Sequence, residues 1–348
     1  MNILTGYVGT YTKGSSEGIY LFLLDTDKGK LSQVRLAAKL DNPTYLAISR
    51  NNKSLYSVVK KGESGGVAAF SIKKAGGDLK VLGDQLTTGA PPCHVSVDKN
   101  NRRVLSANYH KGTVELYPVQ GARGIGPATS VVQHEGSGPN RDRQEAPHAH
   151  FAGFSPDEKY VLTVDLGTDQ LTTYKIEKGS LNEAAVFTFR PGSGPRHLVF
   201  HPTKPYAYVM TEISSEVVAL HYNAANGHFD FLQAVSAIPE DFRENSQGSA
   251  IQVTSDGRFV YAANRGHNSI AVFRVEETGT LAFVQHVPTE GDWPRDFTLD
   301  PTETFLIAAN QNSGNLVLYL RNPSSGRLTL LQADIAVPDP VCVKFLHY

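Results

Sequence analysis

The sequence predicts an all-β fold, a seven-bladed β-propeller of four-stranded antiparallel blades. Three observations lead there. A unit recurs about every 50 residues, hairpin patterns fill each unit, and half-units at the two ends of the chain complete one another.

Each unit opens near a Pro, reaches an apolar anchor, turns through polar residues and enters a second strand that ends in small and polar residues. Copies begin at Asn42, Pro91, His148, Gly194, Gly248 and Trp293. Their anchors, Ile48, Val97, Phe154, Phe200, Val253 and Leu299, are separated by 49, 57, 46, 53 and 46 residues. That period suits a four-stranded blade, and the long second gap holds an insertion. Within units, VLSANYHKGTVELYPV from Val104 is two β-rich runs around a Lys-Gly turn, and FVYAANRGHNSIAVFRV from Phe259 repeats it around Gly266. Pairs such as Leu162/Val164 and Ile270/Val272 alternate with period two. No amphipathic helix of three turns is evident, which disfavours parallel α/β folds. At the C-terminus PDPVCVKFLHY reads as a first strand anchored at Phe345, and the N-terminal YVGTYTKGSSEGIYLFLLD as a second and third. Six full units and one shared between the termini make seven blades, and closing the ring removes the open sheet edge. Residues 1–348 are read as a single propeller domain.

Composition narrows the function. The chain has 33 Lys+Arg against 34 Asp+Glu, a net charge of −1. It has no basic excess to neutralise nucleic-acid phosphates. No apolar run approaches the ~20 residues that span a bilayer, so neither nucleic acid nor membrane is expected as a partner. Two cysteines, Cys93 and Cys342, are too few for a disulfide scaffold and fit a reducing compartment. The N-terminus lacks the pattern of a signal peptide. A cytoplasmic protein is expected. P-loop, dinucleotide-binding, G-x-S-x-G and C-x-x-C signatures are absent, and neither a metal nor a cofactor is expected.

In a propeller the entry of each first strand and the exit of each second strand meet at one mouth of the central channel. Four residues before each anchor stand Thr44, Cys93, His150, Arg196, Ser249, Arg295 and Val341. Twelve after stand Lys60, Tyr109, Leu166, Glu212, Arg265 and Gln311, joined by Tyr11, with Asn108, Asp165, Asn264 and Asn310 beside them. Several cations on two adjacent rings suit a small anion such as a carboxylate or phosphate. Isolated polar residues at a blade rim can also simply solvate it. His148 and His150, in QEAPHAHF, admit three readings: a metal pair, for which no third ligand is evident, general acid–base chemistry, or backbone capping. HEGSGPNRDRQE from His134 and EDFRENSQGS from Glu240 read as long loops, the first a possible cover for the mouth. Trp293, the single tryptophan, reads as packing at a blade entrance.

The strings YVGTYT, PHAHF, GPRHLVFHP, MTE and ANRGHNSIAVF, spread from end to end, give the chain its resemblance to the seven-bladed β-propeller lactonases. That family includes propeller-type 6-phosphogluconolactonases and carboxy-cis,cis-muconate lactonising enzymes. The resemblance implies His148, Arg196, Glu212 and Arg265 as the catalytic set, four residues that also fall at or beside the mouth positions. His150, Arg295, Lys60, Asn264 and His197 are expected to bind substrate, an anionic small-molecule lactone. The implied reaction is hydrolysis of a sugar lactone, foremost 6-phosphogluconolactone. Glu212 or His148 would activate water, and Arg196 or Arg265 would stabilise the oxyanion. Two alternatives remain open: a lactonising isomerase acting on a muconate-type dicarboxylate, and a non-catalytic binding propeller.

Overall fold

A computed structural model describes residues 3–74 and 76–348. These residues form seven sheets, each of four antiparallel strands. The innermost strands are Pro340–Phe345, Leu46–Ile48, His94–Val97, Ala149–Phe154, Pro195–Phe200, Gln247–Val253 and Pro294–Leu299. Each lies beside the next, and the last lies beside the first, so the ring is closed. In the closing blade, Pro340–Phe345 pairs with Ile3–Thr10, followed outward by Gly18–Asp25 and Lys30–Lys39. The seven-bladed expectation and the blade shared between the termini are both borne out. The one helical element among the described residues is the 3-10 turn Gly121–Arg123.

Period-two alternation explains the packing. In the middle strands both faces are covered by neighbouring blades, so Tyr160–Asp165 and Phe259–Arg265 are buried along their whole lengths. Outer strands alternate: His228–Ser236 buries Phe229 but exposes Phe231. The core is therefore a ring of clusters between adjacent sheets. One, built from Leu4, Val8, Phe22, Val343 and Phe345 with Ile307 and Leu316, joins the two termini to the last blade.

The inner strands carry a repeated irregularity that positions the site. Pairing skips His150, Arg196, Arg295 and Val341 in their respective blades, and Ser249 and Ala250 in another. These are β-bulges at the position four before the anchor. A bulge re-aims the extra side chain and bends the strand. It turns His150, Arg196 and Arg295 toward the mouth, where they line a cavity.

Candidate active site

The cavity at this mouth has a volume of about 680 Å³, within the range of small-ligand sites. Lys60, Arg143, Arg196, Arg265 and Arg295 line it, against two carboxylates, Glu63 and Glu212. The excess of cations is local, since the whole chain is almost neutral.

Glu212 is the centre of the arrangement. It follows the strand Tyr206–Thr211, its N–H donates to Gly194 O at 2.7 Å, and its carbonyl accepts from Gly248 N at 3.1 Å. Its Oε2 receives Arg196 Nε at 2.9 Å and Arg265 Nη2 at 2.6 Å. Its Oε1 receives Arg143 Nη2. Burial would raise the carboxyl pKa, but the guanidiniums of Arg265, Arg196 and Arg143 outweigh it and hold the group well below the usual carboxylate range. Arg196 also donates from Nη1 to Ser249 O at 2.6 Å, and Arg265 from Nη2 to Gly248 O at 2.8 Å. Arg265 Nε is buried without an acceptor. Burial lowers the pKa of Arg196, and that of Arg265 to about 9.

Arg143 differs from its two neighbours. Its side chain is 30% exposed, against 3% for Arg196 and 4% for Arg265. It rides on the inserted stretch after Ser130–Gln133, the expected cover for the mouth. That stretch is tethered by the fully buried Gln144, whose Nε2 donates to Leu166 O at 2.9 Å. The sequence pattern does not single out Arg143. It lies in the insertion, outside the repeat register, and its one signal was the charge of that loop.

The other expected residues are distributed unevenly. His150 lines the cavity, and its Nδ1 is buried without a partner. Burial, then Arg196, hold its pKa well below the usual histidine value, so the ring is neutral. Arg295 and Lys60 line the cavity, and their side chains have no hydrogen-bond or ion-pair partner among the described residues. Arg295 does lie over the Tyr11 ring, 5.5 Å from its centroid. Three residues lie outside the cavity wall. His148 stacks on Tyr109, with ring centroids 4.1 Å apart, and both its nitrogens face oxygens: Nδ1 meets Tyr109 O at 2.8 Å and Nε2 meets Glu145 Oε1 at 3.1 Å. Asn264 is fully buried and donates to Ala237 O at 2.7 Å, stitching its blade to the incoming chain. Asn108 and Asn310 make the equivalent bonds to Ala90 and Thr289, so this repeat position is structural in three blades.

His197 belongs to the floor. Its ring lies 5.3 Å from His150 and 5.4 Å from His94, and Tyr45 covers His94 at 4.4 Å. Below them Lys344 Nζ pairs with Asp296 Oδ2 at 2.9 Å and sits over the Tyr45 ring. This plug separates the cavity from a second, about 400 Å³ in volume, lined by the anchors Ile48, Val97, Phe154 and Phe200. Cys93 lines the upper cavity, but burial pushes its thiol up to about 12, so it is protonated and no nucleophile. No cluster of three or more His, Cys, Asp or Glu able to hold a metal is present among the described residues.

Comparison with known proteins identifies the family. The model of the family described as "Lactonase, 7-bladed beta-propeller" matches residues 5–345. The 6-phosphogluconolactonase of Bacillus subtilis (strain 168) is 59% identical over 343 residues, 98% of each chain. A crystal structure of a Lactobacillus plantarum protein has 43% identity and a TM-score of 0.96, covering 99% of this chain and 100% of that one. The periplasmic gluconolactonase of Pseudomonas aeruginosa has 30% identity and a TM-score of 0.93, covering 99% of each.

Proposed function

The chain belongs to the seven-bladed β-propeller lactonase family, and from that premise we propose that it hydrolyses the lactone of a phosphorylated sugar acid, 6-phosphogluconolactone, to 6-phosphogluconate. The carrying observation is a cavity in which one arginine-bound carboxylate stands beside two cations, Arg295 and Lys60, whose side chains have no hydrogen-bond or ion-pair partner among the described residues. A reacting centre and a separate anion seat are what a phosphorylated lactone requires.

Glu212 is the general base in this reading. Cavity placement favours it over His148, whose two nitrogens already face oxygens behind Tyr109. In the resting site Oε2 is occupied by the two buried arginines and Oε1 by Arg143. The substrate's anion draws the half-exposed Arg143 away and frees Oε1 to take a proton from water. That water attacks the lactone carbonyl, and Arg196 and Arg265 stabilise the oxyanion. The ring C–O bond then breaks, and its oxygen takes back from Glu212 the proton removed from water, which gives the product hydroxyl and restores the carboxylate. The neutral His150, which lines the same cavity, holds the water in this reading. Phosphorylated substrate and two free cysteines fit a cytoplasmic setting.

The names of the two relatives differ in whether the lactone carries phosphate, and that difference supplies the test. Steady-state kcat/KM is compared for 6-phosphoglucono-δ-lactone and glucono-δ-lactone, with wild type and Arg295→Ala. Wild type is expected to prefer the phosphorylated substrate. The variant should lose roughly tenfold to a hundredfold on that substrate alone, the worth of a charge-assisted bond. Equal use of both lactones by wild type would refute the phosphate seat.

A further inference from the structure

Trp293 occupies a backbone position that its side chain does not favour. Six residues before the blade anchors stand Asn42, Pro91, His148, Gly194, Gln247, Trp293 and Asp339. Four of these, each followed by Pro, take left-handed φ: Asn42 at 47°, Gly194 at 59°, Asp339 at 45° and Trp293 at 68°. The blade entrance imposes this conformation. Asn, Gly and Asp are the residue types that tolerate it, whereas a bulky aromatic is strained there. The strain is pinned in place: Trp293 N donates to Asn268 Oδ1 at 2.9 Å, and Trp293 O accepts from Gln311 N at 3.0 Å.

What the tryptophan supplies is visible at the other end of the side chain. The residue lines the cavity, and the guanidinium of Arg265 lies over its ring, 5.5 Å from the centroid. Arg265 has bonds from Nη2, but its buried Nε has no acceptor. The aromatic face is a contact for a guanidinium that oxygens do not fully satisfy, and a cation over an indole is attracted to it. We infer that Trp293 is a positioning residue that holds the Arg265 guanidinium beside Glu212, its strained backbone tolerated because a residue suited to that φ has no ring to offer. The inference deepens the lactonase reading and rests on it. It assigns to Trp293 a role that blade packing alone does not require.

The test is a double-mutant cycle on 6-phosphoglucono-δ-lactone: wild type, Trp293→Asn, Trp293→Phe, Arg265→Ala and the Trp293→Asn/Arg265→Ala pair. Trp293→Asn should lower kcat by roughly tenfold to a hundredfold, less than the outright loss of an oxyanion donor, with KM changed by less than about threefold. Trp293→Phe should recover most of that loss. In the Arg265→Ala background the Asn substitution should add under about twofold, because its effect runs through Arg265. The Tm of Trp293→Asn should equal or exceed that of wild type, since Asn relieves the left-handed strain. An equal loss in both backgrounds, an unchanged kcat, or a fall in Tm that accompanies loss of activity in both Trp293 variants would overturn the inference. Wild type without turnover would instead overturn the lactonase reading, and this inference with it.

Discussion

Glu212 holds three guanidiniums, and only one of them is free to leave. Arg196 and Arg265 are buried and bonded to backbone carbonyls, whereas Arg143 comes from a loop and keeps part of its side chain in solvent. Each cation near a carboxylate lowers its pKa, so removing Arg143 raises that of Glu212. Arg143→Ala should therefore move the acid limb of the kcat/KM–pH profile to higher pH and raise KM for the phosphorylated lactone; pH-dependent initial rates check both. An acid limb that stays in place would disconnect Arg143 from the base. At this scale the sequence was informative where the repeat register applies. Arg196, Glu212 and Arg265 were legible because second-strand exits and first-strand entries must converge. Arg143 lay in an insertion that the register does not reach. Asn264 shares the register but turns inward, where its amide binds a carbonyl of the chain entering the blade, as Asn108 and Asn310 do in theirs.

Among the elements, the bulged inner strands carry the site. Alternation predicted strands and their faces, but a single skipped residue leaves no trace in a period-two pattern, so the bulges at His150, Arg196 and Arg295 were not foreseen. Their consequence was foreseen, since these positions were expected at the mouth. The seam between the fourth and fifth full repeat units depends on close approach at Gly248, where a Cβ would lie 2.2 Å from Thr211 O and 2.4 Å from Met210 Cε. Gly248 also accepts from Arg265 and donates to the Glu212 carbonyl. Gly248→Ala should cost about 1–3 kcal/mol by overpacking and should lower kcat, because the same shift separates Glu212 from Arg265. Thermal melts and steady-state rates test this together; a stable, fully active variant would show that the seam yields without moving the site.

For the whole molecule, closure by the termini is the organising event. The half-units at the two ends were legible in the sequence, and the strand Pro340–Phe345 does pair with Ile3–Thr10. Removing residues 340–348 would expose that edge and strip Asp296 of Lys344. The truncated chain should aggregate, read by size-exclusion chromatography, because an open strand edge recruits other chains. The channel floor adds a pH dependence that the sequence hid, since His94 stands out by no motif and His197 is read as a substrate contact until the ring buries the two against each other. Burial holds His94, His150 and His197 well below the usual histidine pKa. The unfolded chain takes up protons at these residues below about pH 6.5 while the folded one does not. Stability should then fall as pH drops through that value, by up to about 1.4 kcal/mol per pH unit for each histidine. Melts between pH 8 and 5 should show a plateau followed by a decline; a flat Tm would contradict neutral, buried rings. The most direct test of the proposed chemistry is the rate of hydrolysis of freshly generated 6-phosphoglucono-δ-lactone above its spontaneous rate, for wild type, Glu212→Gln and His148→Ala, each confirmed folded. Wild type should accelerate the reaction, Glu212→Gln should lose about 10²-fold or more in kcat, and His148→Ala should stay within about tenfold of wild type. Near-normal turnover by Glu212→Gln, or no acceleration by wild type, would contradict a lactonase built on that carboxylate.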